Sequence, residues 1–507
     1  MLIALVPLVA VAIADARWLR VVQREHYIPG SCTTVALRWA RRRPPNQILA
    51  PVAGAAAVAA LIGRPAGVAL AGALAATAAA AVFPAAMPLL GGPQRLVRTR
   101  RLMRLAACAL LLEALIAGAA VWLDVPGLCA VLAVGVPVVI DAAAQLMRPA
   151  EARLARKYRT AAQAKLDRIA PRVIAVTGSY GKTSTKNHLR DLLSGTVDVV
   201  ASPASFNNDA GLCRTVNGHL NPGTQVLVAE MGTYGLGEIR AMCSWVRPEI
   251  GIITAIGPMH LERMKTLDTV LRAKSELLEG VRVAILNVDD ERLAELADCL
   301  PGAEVWRCGT RRQRDLAISL ERDAARVVVR YRGTTIGSFR SQPGLHLANI
   351  ACAVAAALAV GAPPDRVIAR AGQLSAPAHR AVQAVASSGV VVIDDTYNSN
   401  PEGAARALES LESAVGGRNR RAVVTPGMVE LGPDQDEANR AFAAAVAKAD
   451  AALVVVGWTN RRALVAGAAG GEIVTVRSRA AAREWVRATL SAGDGVLWEN
   501  DLPSHYP

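Results

Sequence analysis

The sequence contains no C-x-x-C pair, although it has eight cysteines, at 32, 108, 129, 213, 243, 299, 308 and 352. That spacing excludes the common zinc sites and a disulfide framework, and predicts reduced packing residues in a cytosol-facing C-terminal part. Aromatic residues make up only 4% of the chain, and no aromatic-interleaved basic patch or nucleic-acid motif accompanies the net charge of +15. A nucleic-acid partner is therefore not expected. Acids are scarce at the N-terminal end: residues 1–160 hold 18 Lys and Arg against 6 Asp and Glu, so this third carries 12 of the 15 surplus charges. No Ser-His-Asp or Cys-His arrangement competes for a catalytic role. No G-x-G-x-x-G lies in the last third, which excludes a dinucleotide there. The first apolar run lacks a basic leader and a cleavage site, so it reads as an anchor and not a signal peptide.

A chain of 507 residues is too long for one ordinary domain. Apolar runs at about 1–16, 48–63, 66–90, 104–123 and 126–147 approach the length that crosses roughly 30 Å of hydrocarbon, giving about five transmembrane helices within 1–150. Arginines cluster at 17–43, 95–104 and after 147, while the connections near Arg64 and Asp124 carry little charge. By the positive-inside rule the basic segments face the cytoplasm. The expected protein is thus a multi-pass protein of the cell membrane, in contact with lipid, with its N-terminus outside and everything after 150 in the cytoplasm. Asp15, Glu113 and Asp141 fall inside or at the ends of these runs, as candidates for a polar intramembrane role or for helix pairing.

From residue 172 onward, strands alternate with helices. Val173–Val176 reads as a buried parallel strand. Thr177-Gly178-Ser179-Tyr180-Gly181-Lys182-Thr183-Ser184 follows, then a helix. Glycines let backbone amides wrap a phosphate at a helix N-terminus. Lys182 would reach the β- and γ-phosphates, and Thr183 would ligate magnesium. The spacing is two residues shorter than the general phosphate loop.

TGSYGKTST resembles the phosphate loop of the Mur ligase family, particularly its D-alanyl-D-alanine-adding branch. The similarity continues in order over roughly 170–450. Ser205-Phe206-Asn207-Asn208-Asp209-Ala210-Gly211 resembles an asparagine loop near the phosphates. Glu230 ends a strand and is a hard oxygen ligand suited to magnesium. His260 resembles the family's ligand for a second magnesium. Lys274, in Ala273-Lys274-Ser275-Glu276, resembles a lysine that several members carry as a carbamate. Asn287 and Asn349 lie in segments similar to those bordering the adenine. Arg380 resembles an arginine reaching the phosphates from the domain junction. Asp394-Asp395-Thr396-Tyr397-Asn398-Ser399-Asn400-Pro401 is similar to a family signature in which Asp395 would contact the ribose. Val429-Glu430-Leu431-Gly432 belongs to a further similar stretch.

The apolar runs give a transmembrane region at 1–150 followed by a linker at 151–170, and the resemblance implies a P-loop central ATP-binding domain at 171–378 and a Rossmann-like α/β C-terminal domain at 379–507. It implies a ligase that uses ATP and two magnesium ions to form an amide through an acyl phosphate. Lys182, His260, Lys274 and Arg380 would be catalytic. Gly178, Ser179, Tyr180, Gly181, Lys182, Thr183, Ser184, Asn287, Asn349, Arg380 and Asp395 would bind ATP. Thr183, Glu230 and His260 would hold metal, and Asn207, Asn208, Asn398 and Asn400 would shape the substrate site. Members of this type begin with a UDP-binding domain, whose place the apolar runs occupy here. A cell-wall precursor carboxylate accepting an amino acid or dipeptide is one expectation. A poly-γ-glutamate or other lipid-linked or polymeric carboxylate is the other. A transport ATPase is less well supported, because neither dimerising ABC-type signatures nor intramembrane charge relays are evident, and so is a non-catalytic scaffold, because Lys182, Glu230, His260 and Asp395 are all present.

Overall fold

The computed structural model describes the chain apart from residues 1, 64–65, 86, 88–95, 204–205, 260, 311–314, 324–325, 343, 376–381, 397–399, 418, 503–505 and 507. His260, Arg380 and Asn398 therefore lie outside the described residues.

The N-terminal third is helical: α1 (Leu2–Arg24), α2 (Ser31–Arg42), α3 (Pro44–Ile62), α4 (Ala66–Val82), α5 (Arg100–Trp122) and α6 (Leu128–Ile169). By length and composition α3, α5 and α6 are long and apolar enough to cross a membrane. The other two expected spans correspond to α1 and α4. α4 stops at Val82 and not near 90, because Phe83 precedes Pro84 and a residue before proline is pushed out of the α region. Trp18, Val21, Val22, Val35, Trp39, Val136 and Ile140 form the bundle core. Asp141 does not act as an isolated intramembrane charge: its carboxylate accepts from the Cys32 and Thr33 amides and the Thr33 hydroxyl at 3.1, 2.8 and 2.7 Å, capping the start of α2.

The segment 151–170, expected as a linker, is instead the second half of α6. Ala162 and Leu166 project from it into the hydrophobic core of the next domain, and burying one such leucine contributes about 2 kcal/mol.

The central domain is built on a nine-stranded sheet: β1 (Arg172–Thr177), β2 (Val199–Ala201), β3 (Val226–Glu230), β4 (Ile250–Ile253), β5 (Val283–Asn287), β6 (Glu304–Gly309), β7 (Ile318–Asp323), β8 (Arg326–Tyr331) and β9 (Thr334–Phe339). Its order is β2-β3-β1-β4-β5-β6-β7-β8-β9, parallel up to β7 and antiparallel beyond. Alternate residues of β1 enter different cores. Ile174 and Val176 pack with the buried helix Leu347–Ala359, and Val173 and Ala175 with α6 and Trp245. This two-sided burial is why the strand reads as an unbroken apolar run.

The C-terminal domain is a second α/β sheet of order β10-β11-β15-β12-β13-β14, with β10 (Val382–Val385), β11 (Val391–Asp395), β12 (Arg421–Thr425), β13 (Ala451–Val456), β14 (Ile473–Val476) and β15 (Gly495–Glu499). Only β10 is antiparallel.

Candidate active site

In doubly wound sheets ligands bind beyond the carboxyl ends of the strands, and the central residues β1, β3, β4 and β5 deliver there form one cluster. β1 ends in Thr177, and the loop 178–181 turns the chain into α7 (Lys182–Leu193). Gly178 and Gly181 have φ of 150° and 79°. A Cβ on Gly178 would lie 2.0 Å from the Thr254 hydroxyl, and one on Gly181 would lie 2.4 Å from the Asn349 side-chain oxygen. Both backbone conformation and space therefore require glycine. Ser179 locks the loop to the end of β4: its amide donates to the Ala255 carbonyl at 2.7 Å, and its hydroxyl exchanges bonds with Gly257 at 3.0 and 2.9 Å. The Thr254 hydroxyl also donates to the Tyr180 carbonyl.

Lys182 arches over its own loop, donating to the Gly178 and Ser179 carbonyls at 2.7 and 3.2 Å. Thr183 donates to Glu230 at 3.2 Å, and the Asn207 amide donates to the same oxygen at 3.2 Å. The other Glu230 oxygen pairs with Lys186 at 3.0 Å, with both side chains 2% exposed. Lys186, one turn beyond Lys182 on α7, is a site residue the sequence reading missed. Its signal was the i, i+4 spacing of two lysines, which alone reads as a solvated face. Ser184 is buried in the first turn of α7. The Thr183 hydroxyl and the Glu230 carboxylate supply two hard oxygens beside the loop, a donor set that fits magnesium.

Lys274 lies in helix Leu267–Ser275 and is 3% exposed. Burial, reinforced by the Lys182 ammonium, drives its amine well below the usual lysine range. Two residues on, Glu276 accepts from the Gly237 and Arg240 amides at 2.6 and 3.1 Å. It thereby satisfies the positive end of helix Glu238–Val246, which gives that part of the motif a structural role. Asn208 caps helix Asp209–His219 through the Gly211 amide at 2.9 Å. Asn287 holds the Thr254 carbonyl at 2.9 Å, and Asn349 lies against Gly181. Tyr180 packs on Gly257, where an added Cβ would meet its ring at 2.3 Å. Burial raises its phenol, and its charged neighbours include Glu402 and Arg406 of helix Pro401–Ala414.

Those two residues belong to the C-terminal domain, whose charges thus reach the phosphate loop. A direct contact joins the two domains, from the Leu261 amide to the Glu430 carbonyl at 2.8 Å. Asp395 ends β11 beside Glu499 of β15. Glu499 is fully buried, and burial with Asp395 nearby pushes its carboxyl up to about 8. Asn400 caps helix Pro401–Ala414 through the Gly403 amide at 2.8 Å. The bundle reaches the same cleft: Arg263 pairs with Glu25 at 3.3 Å and stacks over Tyr234, whose hydroxyl lies 3.3 Å from His26 Nε2.

Residues 176–358 match the model of the Mur ligase middle domain, and 380–499 match that of the Mur ligase glutamate ligase domain. The UDP-N-acetylmuramoyl-tripeptide–D-alanyl-D-alanine ligase of Mycobacterium leprae is 34% identical over 363 residues, covering 64% of this chain and 70% of that protein. MurF from Acinetobacter baumannii superimposes with a TM-score of 0.60 at 23% identity, covering 68% of this chain and 77% of that one. MurF from Thermotoga maritima, solved in complex with ADP, gives 0.59 at 22%, covering 68% and 80%.

Proposed function

This chain belongs to the Mur ligase family and is an ATP-dependent, ADP-forming ligase, and from that premise we propose that it joins D-alanyl-D-alanine to the peptide carboxylate of a cell-wall precursor at the inner face of the cell membrane. The observation that carries this reading is the phosphate loop: Lys182 over Gly178 and Ser179, with Thr183, Asn207 and Lys186 converging on Glu230.

In this reading Lys182 leaves its carbonyl partners for the β- and γ-phosphates of ATP, and Arg380 adds a second cation from the domain junction. Thr183 and Glu230 would hold magnesium, with His260 a candidate ligand for a second ion; magnesium neutralises phosphate charge when bound. An oxygen of the acceptor carboxylate attacks the γ-phosphorus, the bond to ADP breaks, and an acyl phosphate forms. The dipeptide amine then attacks the acyl carbon and loses a proton, and phosphate departs to leave an amide. Asn287 and Asn349 would border the adenine and Asp395 the ribose, while Asn207, Asn208, Asn398 and Asn400 would shape the acceptor cleft. The C-terminal domain, in contact at Leu261, would exclude water that hydrolyses the acyl phosphate. Lys274 would be the lysine that takes up carbon dioxide as a carbamate; burial, which lowers its basicity, favours the uncharged amine that this addition needs.

The helices α3, α5 and α6 and the contact of Glu25 and His26 with the cleft support an acceptor presented from the membrane. The test uses full-length protein in detergent, with ADP and phosphate release measured on UDP-muramoyl tripeptide plus D-alanyl-D-alanine, then on lipid-linked and polymeric carboxylates. Mass spectrometry identifies the amide. A pentapeptide product with wild type, largely lost in Lys182→Ala, is expected; turnover only with carboxylates that carry no muramoyl peptide would overturn the cell-wall reading.

A further inference from the structure

The inner end of the helical bundle buries more positive charge than it pairs. Arg20, on α1, is 2% exposed, and neither terminal nitrogen of its guanidinium has a hydrogen-bond partner. A buried, unpaired charge costs several kcal/mol or more unless an opposite charge meets it. Arg17 and Arg24 stand three and four residues away on the same helix, hence on the same face.

Arg17 donates to the Phe83 carbonyl and, at 3.2 Å, to that of Ala81. Arg43, at the start of α3, reaches the Ala85 carbonyl at 3.5 Å, and its Nε has no partner. Asn46 accepts from the Ala85 amide at 2.8 Å. Residues from α1, from the α2–α3 junction and from the end of α4 therefore converge around 81–85.

The neighbouring acids are engaged elsewhere: Asp15 is hydrogen-bonded to Glu113, Glu25 pairs with Arg263, and Asp141 caps the start of α2. Beyond Arg43 the next charges are again positive, Arg461 and Arg477 of the C-terminal domain. The Arg43 guanidinium lies over Trp39 and Trp458 at 5.2 and 5.9 Å. This basic cluster thus faces the ligase half of the molecule.

Guanidinium forks match phosphate oxygens geometrically and bind them with charge-assisted hydrogen bonds. We propose that Arg20, flanked on its helix by Arg17 and Arg24, binds a diphosphate ester that carries the acceptor peptide, with the bundle gripping the phosphates while the peptide extends towards the phosphate loop. This deepens the proposed cell-wall reading and rests on it for the identity of the acceptor. The same diphosphate chemistry is offered by a lipid-linked or a nucleotide-linked carrier.

The experiment uses the full chain in phosphatidylcholine nanodiscs, titrated by calorimetry with inorganic pyrophosphate, farnesyl diphosphate and UDP. ADP binding to each variant reports the integrity of the ligase half. Arg20→Met is expected to weaken pyrophosphate binding at least about tenfold, as loss of a charge-assisted bond implies, while Arg20→Lys restores part of it. Both leave ADP affinity unchanged. If Arg20→Met does not fold, Arg24→Gln serves in its place with the same expectation. Tighter farnesyl diphosphate assigns a lipid carrier, and tighter UDP a nucleotide carrier; either supports the site. Absence of binding to wild type, or equal binding by all variants, overturns it. Failure here with amide formation intact leaves the ligase reading standing. Diphosphate binding without Lys182-dependent product on any acceptor pair does the reverse.

Discussion

Lys186→Met would leave the Glu230 carboxylate, 1% exposed, without the cation 3.0 Å away. Breaking one side of a buried pair costs roughly 3–5 kcal/mol, because the remaining charge is stranded. The expected result is a marked drop in thermal midpoint with weakened ADP binding, and Lys186→Met combined with Glu230→Gln should recover most of the stability but not the catalysis. Differential scanning calorimetry with and without ADP checks both. The two halves of this pair were not equally legible in the sequence. Glu230 stands out as an acid at the end of an apolar strand, where a parallel sheet presents its ligands. Lys186 does not, because its partner comes from another strand. The phosphate loop is the opposite case: Gly178 and Gly181 are needed by backbone angle and by lack of space, so a local pattern carries the whole constraint.

At the scale of elements, α6 decides how the helical and catalytic parts are joined. Its C-terminal half is highly charged, and between Arg159 and Ile169 only a few positions face a core. Two apolar residues four apart, Ala162 and Leu166, are too little periodicity to separate a docked helix from a basic linker, which is why the linker reading failed. Pairings across elements complete the docking: Arg159 with Asp209 at 2.9 Å and Arg247 with Asp167 at 2.7 Å. Leu166→Ala should cost about 2–4 kcal/mol as a core truncation and lower the urea midpoint of the ligase half in detergent. The exposed pair Arg247–Asp167 should contribute at most about 1 kcal/mol. Equal effects of Leu166→Ala and Asp167→Asn would contradict this picture of the packing. The placement of β11 was easier to read, because the apolar stretch Val391–Ile393 acts within a few residues of itself; the end of α4 was read too late, since the proline at 84 was not weighed against the apolar run.

For the whole molecule, charge placement predicts the direction of insertion. The arginine-rich ends of the bundle lie on the side from which α6 enters the central domain. Among the described residues Cys299 is the one fully exposed cysteine, at the end of helix Glu291–Cys299. In intact spheroplasts a membrane-impermeant maleimide should leave it unlabelled, and permeabilisation should expose it; labelling before permeabilisation would reverse the assigned orientation. One consequence of the unbroken α6 concerns altitude. From residue 148 to 169 the helix climbs roughly 33 Å at 1.5 Å per residue, and it is stapled at its top beneath β1. With Glu25 and His26 already touching Arg263 and Tyr234, the phosphate loop is held at a fixed distance from the bundle, not on a tether. An acceptor held at the bundle, as proposed above, would be sorted by the length of the stalk between its holding point and its carboxyl group, so the fixed spacing would gauge the substrate before the phosphate loop touches it.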